Sequence, residues 1–417
     1  MTLSLPAQRK AELVYNIFCI GIAGSLVFWP LLSSLLIIFL GAYWLLFAKK
    51  TFNIKEVRSK LVLLFCALYL PVIIGTLYSE NIDGAITQLR IKIPFVALPV
   101  IFGCTNILNQ RIYHNIFRSF AVFTSAGCVY CMSAGLVNYL QNGSSEQLYG
   151  YPLVVLKDMQ PFVFAFYCLL SSAYILNEIN SGRIKKPSHK TISIILLVIF
   201  SLFLFLLGNR NILFCWIVVV IFFCFRLIKT KTNRTLFFVA LVAALIAGII
   251  INPSLNRQWK DMTDFSANNT ITLDADRSLG RGWGGKAIRV AIWQCSGDIL
   301  KKNWLTGVGT GDAQDALQNA YEERKFYFAS RHNTYNAHNQ YLQQTIAFGI
   351  AGISIFLLCL LVPLVLYIRS SQYTLYTLFL ICFMIICLTD SILEVSKGVI
   401  LYAFFNSLFA FTDHQKE

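Results

Sequence analysis

The densest group of reactive side chains is the string RHNTYNAHNQYLQ, from Arg331 to Gln343. It carries two imidazoles, His332 and His338, and leads directly into an apolar run beginning near residue 339. His338 is therefore expected at or just before a helix N-terminus. The unpaired N–H groups and positive dipole end found there disfavour imidazolium. The ring would then be neutral and able to accept a proton near pH 7. Position alone leaves a capping or interfacial histidine equally open. His332 lies further out in the loop, where a structural role is favoured.

Arginines supply the complementary charge. Arg210 lies in the tight GNRN turn between two apolar runs. So short a turn needs no charge, and guanidinium forks suit phosphate oxygens, so Arg210 suggests an anionic ligand. Arg289 lies in a helical pattern over 285–302, where Ile288, Ile292, Cys295 and Ile299 recur on one face. Trp293, four residues after Arg289, shares an adjacent stripe. Arg90 precedes another apolar run. Lys157 and Lys397 read as cations snorkelling to headgroup phosphates. Asp390 and Glu394 could bind sugar hydroxyls or pair with Lys397, and the ion pair is favoured.

Other motifs carry less. GVGTGD, from Gly307 to Asp312, lacks the Lys-Ser/Thr ending and preceding strand of a phosphate-binding loop. It reads as a turn that positions the 285–302 helix. Asp274 and Asp276 have oxygen-ligand spacing but no companions, and Cys128 and Cys131 fall within an apolar run as packing residues. No metal site is expected.

The elements that position these residues follow from composition. Of 417 residues, 57% are hydrophobic and 13% charged, outside the soluble globular range. Lipid forces each spanning backbone to satisfy its own hydrogen bonds, so the fold class is an all-α polytopic membrane protein. Twelve runs of spanning length lie near 13–29, 31–48, 60–78, 91–107, 118–138, 160–177, 191–207, 211–228, 235–251, 339–367, 372–389 and 395–412. The first does not read as a cleavable signal, because no small-residue cleavage site follows it and another span comes at once. Residues 1–251 would hold nine spans, 252–338 a large outer loop with helices, and 339–417 the last three spans. Eleven of the twelve cysteines sit in apolar runs, so a disulfide scaffold is excluded.

The net charge of +15 resolves by position. With both termini inside and the chain alternating, the inner segments hold 19 basic and five acidic residues, a net of +14. The outer segments hold 16 basic and 15 acidic, a net of +1. This positive-inside pattern makes the basicity topological and removes nucleic acid as a partner. It also places His338, Arg210 and Arg289 on the outer side. All 20 acidic residues fall in loops or at span ends and no inverted repeat is visible, which disfavours an ion-coupled transporter.

RVAIW at Arg289–Trp293, GVGTG at 307–311, and HNQYLQ opening a helix with GIAG at 349–352 resemble the signature of the O-antigen ligase and polymerase superfamily. The resemblance is specific between about 285 and 352 and extends to the twelve-span layout. It implies a metal-independent, inverting glycosyltransferase of the GT-C type in the bacterial inner membrane, without a cofactor. The donor would be a glycan on undecaprenyl diphosphate at the periplasmic face. Ligases pass that glycan to a sugar hydroxyl of lipid A–core, and polymerases pass it to another repeat unit. The family's essential histidine maps onto His338 and its periplasmic arginines onto Arg210 and Arg289, whereas Arg90 matches by location only. One dominant outer segment late in the chain, ending in the histidine, favours ligase over polymerase.

Overall fold

A computed structural model describes residues 5–48, 56–263 and 285–413. Among these residues all regular structure is helical. The helices are α1 (Leu5–Phe28), α2 (Pro30–Tyr43), α3 (Glu56–Cys66), α4 (Leu70–Thr76), α5 (Ile82–Lys92), α6 (Pro94–Gly103), α7 (Gln110–Asn142), α8 (Pro161–Asn180), α9 (Pro187–Leu207), α10 (Arg210–Leu227), α11 (Lys231–Ile251), α12 (Pro253–Thr263), α13 (Gly285–Asn303), α14 (Ala313–Glu323), α15 (Gln340–Tyr367), α16 (Thr374–Cys387) and α17 (Ser396–Phe411). Nine described helical segments are long and apolar enough to cross a membrane, with α3–α4 and α5–α6 each counting as one. Three shorter apolar helices, Leu31–Phe47, Ser371–Cys387 and Ser396–Phe411, accompany them. Each of the twelve expected runs thus falls on helix, and the chain is a multi-pass membrane protein.

Burial sorts these helices into an inner set and a lipid-facing set. In α17 every residue from Lys397 to Phe411 is buried, and its Phe404 and Phe405 pack against Phe102, Phe117 and Phe120 of α6 and α7. On α11, by contrast, only 6% of the apolar window is covered by protein. A helix apolar all round is stable in that position because lipid covers it.

Helix ends also sort consistently. Arg58 at the start of α3 donates to Asn106 Oδ1 (2.6 Å) after α6 and to the carbonyl of Phe411 at the end of α17. The alternating reading puts all three ends on one face. The opposite ends meet around Arg210, Arg289 and His338.

The segment between α11 and α15 forms a second apolar cluster. Ile292, Cys295 and Ile299 of α13 pack with Leu317 and Tyr321 of α14 and with Phe326, Ile346 and Phe348. This is the helix face expected from the spacing, except that Ile288 is only partly buried. The stretch 264–284, with Asp274 and Asp276, lies outside the described residues.

The GVGTGD loop docks into a break in α15. Gly349 takes φ +57° and ψ −153°, a conformation open almost only to glycine. The break interrupts the helical hydrogen-bond ladder, and loop N–H groups take over two of its carbonyls. Val308 N–H donates to Ile346 O (2.8 Å) and Gly309 N–H to Ala347 O (3.0 Å), while Ile350 N–H donates to Leu305 O (3.3 Å). Non-helical backbone at such a break persists only when these groups find partners. Asp312 extends the tie by accepting from the N–H groups of Glu80 (2.9 Å) and Asn81 (2.7 Å), just ahead of α5. The loop therefore anchors the α13–α14 unit on the bundle, as a turn positioning α13 must.

Candidate functional site

His338 stands one residue before the N-cap of α15. Asn339 is the cap, its Oδ1 accepting from the N–H groups of Tyr341 (2.9 Å) and Leu342 (3.1 Å). His338 itself has φ +43°, in the left-handed region that non-glycine residues seldom occupy. Its neighbours hold it there. Its own N–H donates to Asn336 Oδ1 (3.0 Å), Trp293 Nε1–H donates to Ala337 O (3.2 Å), and Ala337 N–H donates to Gln343 Oε1 (3.1 Å). Asn339 N–H donates to Ser391 Oγ (3.2 Å), tying the histidine loop to the α16–α17 connection. Such strain persists only where the surroundings over-determine it, and it clusters at functional sites.

The imidazole is neutral, as expected, but for another reason. Burial and then the positive charge of Arg289 push its pKa from 6.5 down to about 4. The ring of Tyr335 stands edge-on to it, with centroids 5.1 Å apart.

Arg210 is the first residue of α10. Gly208 ends α9 in the left-handed conformation (φ +63°), and Asn209 caps α10 by accepting from Ile212 N–H (3.2 Å), so the GNRN turn costs two residues. Residues around the turn are drawn in by the last carbonyls of α9. Asn252 Nδ2 donates to Phe205 O (2.5 Å), and Gly150 N–H donates to Leu206 O (3.0 Å). This places the 139–159 connection and the start of α12 beside Arg210.

Arg289 reaches the same place from α13. Its Nε–H donates to Thr389 O (3.2 Å), and its Nη2 lies 3.9 Å from Asp390 Oδ1. Gly285, one turn earlier, has no side chain to separate the arginines. A Cβ there would stand 3.5 Å from Arg289 Nη1 and 3.9 Å from Arg210 Nη2. Asn211, next to Arg210, donates to the hydroxyl of Thr389, which in turn donates to Asp390 Oδ2 (3.0 Å). Burial raises the Asp390 pKa from 3.8 to about 6, against the opposing pull of Arg289 and Thr389.

Arg210, Arg289, His338 and Asp390 line one cavity of about 250 Å³ together with Tyr151 and Asn211. Two guanidinium groups converging on one cleft suit the oxygens of a diphosphate. A neutral imidazole beside them offers a hydrogen-bond acceptor, and the buried carboxylate holds Arg289 in place.

Arg90 is not brought to this cavity. It is exposed on α5, where its guanidinium donates to Thr87 Oγ1 (3.2 Å). Lys397 corrects the snorkelling expectation: it is buried, and its ammonium donates to Lys157 O (3.2 Å). The favoured ion pairs exist, but with other partners. Asp390 faces Arg289, and Glu394 faces Lys92 at 3.2 Å. Lys157 is exposed, and the side chain of His332 lies outside the described residues.

Asn211, Thr389 and Tyr151 were not singled out from sequence. Asn211 had one visible signal, its place beside Arg210 in the short turn. Thr389 and Tyr151 have none without the fold. Among the described residues, no three metal-type side chains gather.

The bundle and its cavity define a polytopic membrane protein with a cation-rich cleft where several helix ends meet. Residues 195–357 match the family model described as O-antigen ligase. Members are glycosyltransferase-like enzymes of O-antigen assembly that act on lipid-linked polysaccharide. The matched stretch contains Arg210, Arg289 and His338, while Arg90 and Asp390 fall outside it. No curated protein matches the chain significantly.

Proposed function

We propose that this protein is an O-antigen ligase. It takes a glycan from undecaprenyl diphosphate and passes it to a sugar hydroxyl of lipid A–core, without a metal and with inversion at the anomeric carbon. The observation that carries this reading is the convergence of Arg210, Arg289 and His338 on one cavity. In this reading the fold is of the GT-C type, residues 252–338 form the outer cover, and Arg90 stays outside the reacting groups. The site faces the periplasm from the inner membrane, with both termini cytoplasmic.

The chemistry follows from the groups present. A glycosyl diphosphate already carries a good leaving group, so the main requirement is to stabilise the developing charge on its oxygens. Arg210 and Arg289 do this in a partly desolvated cleft, where positioned charge counts most. His338 is neutral at any pH near 7, so its ring nitrogen accepts a hydrogen bond from the acceptor hydroxyl and aims it at the anomeric carbon. With a pKa near 4, it is suited to orienting that hydroxyl more than to holding its proton, which passes to the departing undecaprenyl diphosphate as the new glycosidic bond forms and the anomeric carbon–phosphate oxygen bond breaks. Asp390 fixes Arg289 until the diphosphate takes its place as the counter-ion.

The test uses purified protein, a glycan on undecaprenyl diphosphate, and either lipid A–core or a second donor molecule. Glycosylated lipid A–core should form with wild type, and His338→Ala should lose it. Elongated donor without transfer to lipid A–core would overturn the ligase reading in favour of polymerase.

A further inference from the structure

A second cavity of about 260 Å³ lies between α7, α8 and α9. Its polar wall contains Glu178, while Pro161 and Phe162 at the other end of α8 line the site above. At 1.5 Å per residue, the two cavities are about 25 Å apart along that helix.

Glu178 is 3% exposed. Its Oε1 accepts from Arg183 Nη1–H (2.9 Å). Its Oε2 is sealed inside the protein, with His114 Nδ1 at 3.5 Å, Arg118 Nη2 at 3.9 Å and the Tyr174 hydroxyl as its neighbours. Arg118 and Arg183 are half-exposed at the rim and His189 is exposed beside them. The other walls are apolar, and Val122 and Ile192 are open to the lipid side.

We propose that this cavity binds an anionic phosphodiester lipid, of the phosphatidylglycerol type. The phosphate sits between Arg118 and Arg183, whose forks suit its oxygens. The acyl chains run over Val122 and Ile192. Two arginines and one glutamate leave a local charge of +1, which one phosphodiester neutralises. An ethanolamine ammonium would leave that charge in place and lie beside two guanidinium groups. A choline headgroup carries the same fixed positive charge. Basic pockets between membrane helices are recognised lipid sites on these grounds.

Full-length protein in mild detergent would be titrated with phosphatidylglycerol, phosphatidylethanolamine, phosphatidylcholine or glycerol 3-phosphate, and the bound species counted by native mass spectrometry. One phosphatidylglycerol should be retained at concentrations where the other three are not. The Arg118→Gln/Arg183→Gln double variant should weaken retention by about tenfold, since each basic group near the headgroup contributes. Ser193→Leu, which fills the cavity and leaves every charge in place, should do the same. If the charge variant does not fold, Ser193→Leu alone decides. Equal retention of phosphatidylcholine or phosphatidylethanolamine, binding of glycerol 3-phosphate alone, or wild-type retention by the folded variants would overturn the proposal.

Discussion

Trp293 donates its indole N–H to the carbonyl of Ala337 at 3.2 Å, one residue before His338. The bond links α13, which carries Arg289, to the strained turn that carries the imidazole, so one helix sets both groups that the proposed function assigns to the diphosphate and the acceptor. Trp293→Phe keeps an aromatic ring and removes the donor. A lost neutral hydrogen bond is worth about 1 kcal/mol, which corresponds to roughly a fivefold fall in turnover if it acts on the transition state. Steady-state transfer assays should show that fall in kcat with little change in KM for the lipid-linked donor. A change in KM alone would mean that Trp293 serves donor binding instead.

His338 and Asp390 give opposite pH signatures. His338 has a folded pKa near 4 against an ordinary value of 6.5, so between those pH values the unfolded chain holds a proton that the folded protein refuses. Its contribution to stability therefore rises with pH across that window and is complete above it. Asp390 has a folded pKa near 6 against 3.8, so the folded protein keeps a proton that the unfolded chain has released. Its contribution falls as pH rises from about 4 to 6. The two offset each other in wild type. Thermal melts from pH 4 to 6.5 should show His338→Ala losing stability relative to wild type as pH rises, and Asp390→Asn gaining it. Parallel profiles for all three proteins would remove this assignment of the shifts.

The helices were legible because lipid leaves a spanning backbone few options, and each of the twelve apolar runs falls on helix. The break at Gly349 was not, because the run from 339 to 367 is continuous in hydropathy. Its carbonyls find donors at Val308 and Gly309, some forty residues earlier in the chain. Arg210, Arg289 and His338 could be picked out by type and position, yet their convergence depends on the bare backbone of Gly285 and on the turn at Gly208. The neutrality of His338 was correct for a reason the sequence hides, since burial and Arg289 are tertiary facts. Sequence proximity suggested Lys397 as the partner of Asp390 and Glu394, but Lys397 turns instead to the carbonyl of Lys157. Arg90 shares only an expected face with the other arginines, and a face is too large an area to define a site.

Gly349 and Gly307 provide a test of the loop–helix junction. A Cβ on Gly349 would stand 2.2 Å from Leu305 O, and one on Gly307 would stand 2.5 Å from Ala347 O. Both residues also have positive φ, +57° and +73°. Alanine at either position combines a backbone clash with left-handed strain, costing on the order of 1–3 kcal/mol from the strain alone. Each variant should melt earlier and transfer less glycan, because α13 loses its anchor on the bundle. Gly182→Ala is the control: it has φ +69° but nothing within 4 Å of the added Cβ. It should show strain alone, with the smaller shift in melting temperature and unaltered transfer.

Lys92 and Glu394 form an ion pair at 3.2 Å, with side chains 3% and 13% exposed. Gln340 joins it, donating Nε2–H to Glu394 Oε1 (3.1 Å) and accepting from Leu393 N–H (2.7 Å). The cluster ties the end of α5 to the first residue of α15 and to the connection before α17, two residues from His338 and four from Asp390. Removing one member of a buried pair strands the other charge, which costs about 3–5 kcal/mol, whereas removing both charges can be nearly neutral. Lys92→Met should therefore lower the melting temperature sharply, and adding Glu394→Gln should restore most of the loss, because glutamine still accepts from Gln340. A double-mutant cycle would read the coupling directly. Additive effects would mean that the pair is held by its surroundings and stabilises little by itself. Strong coupling would identify it as the clamp that fixes the helix ends bearing the site.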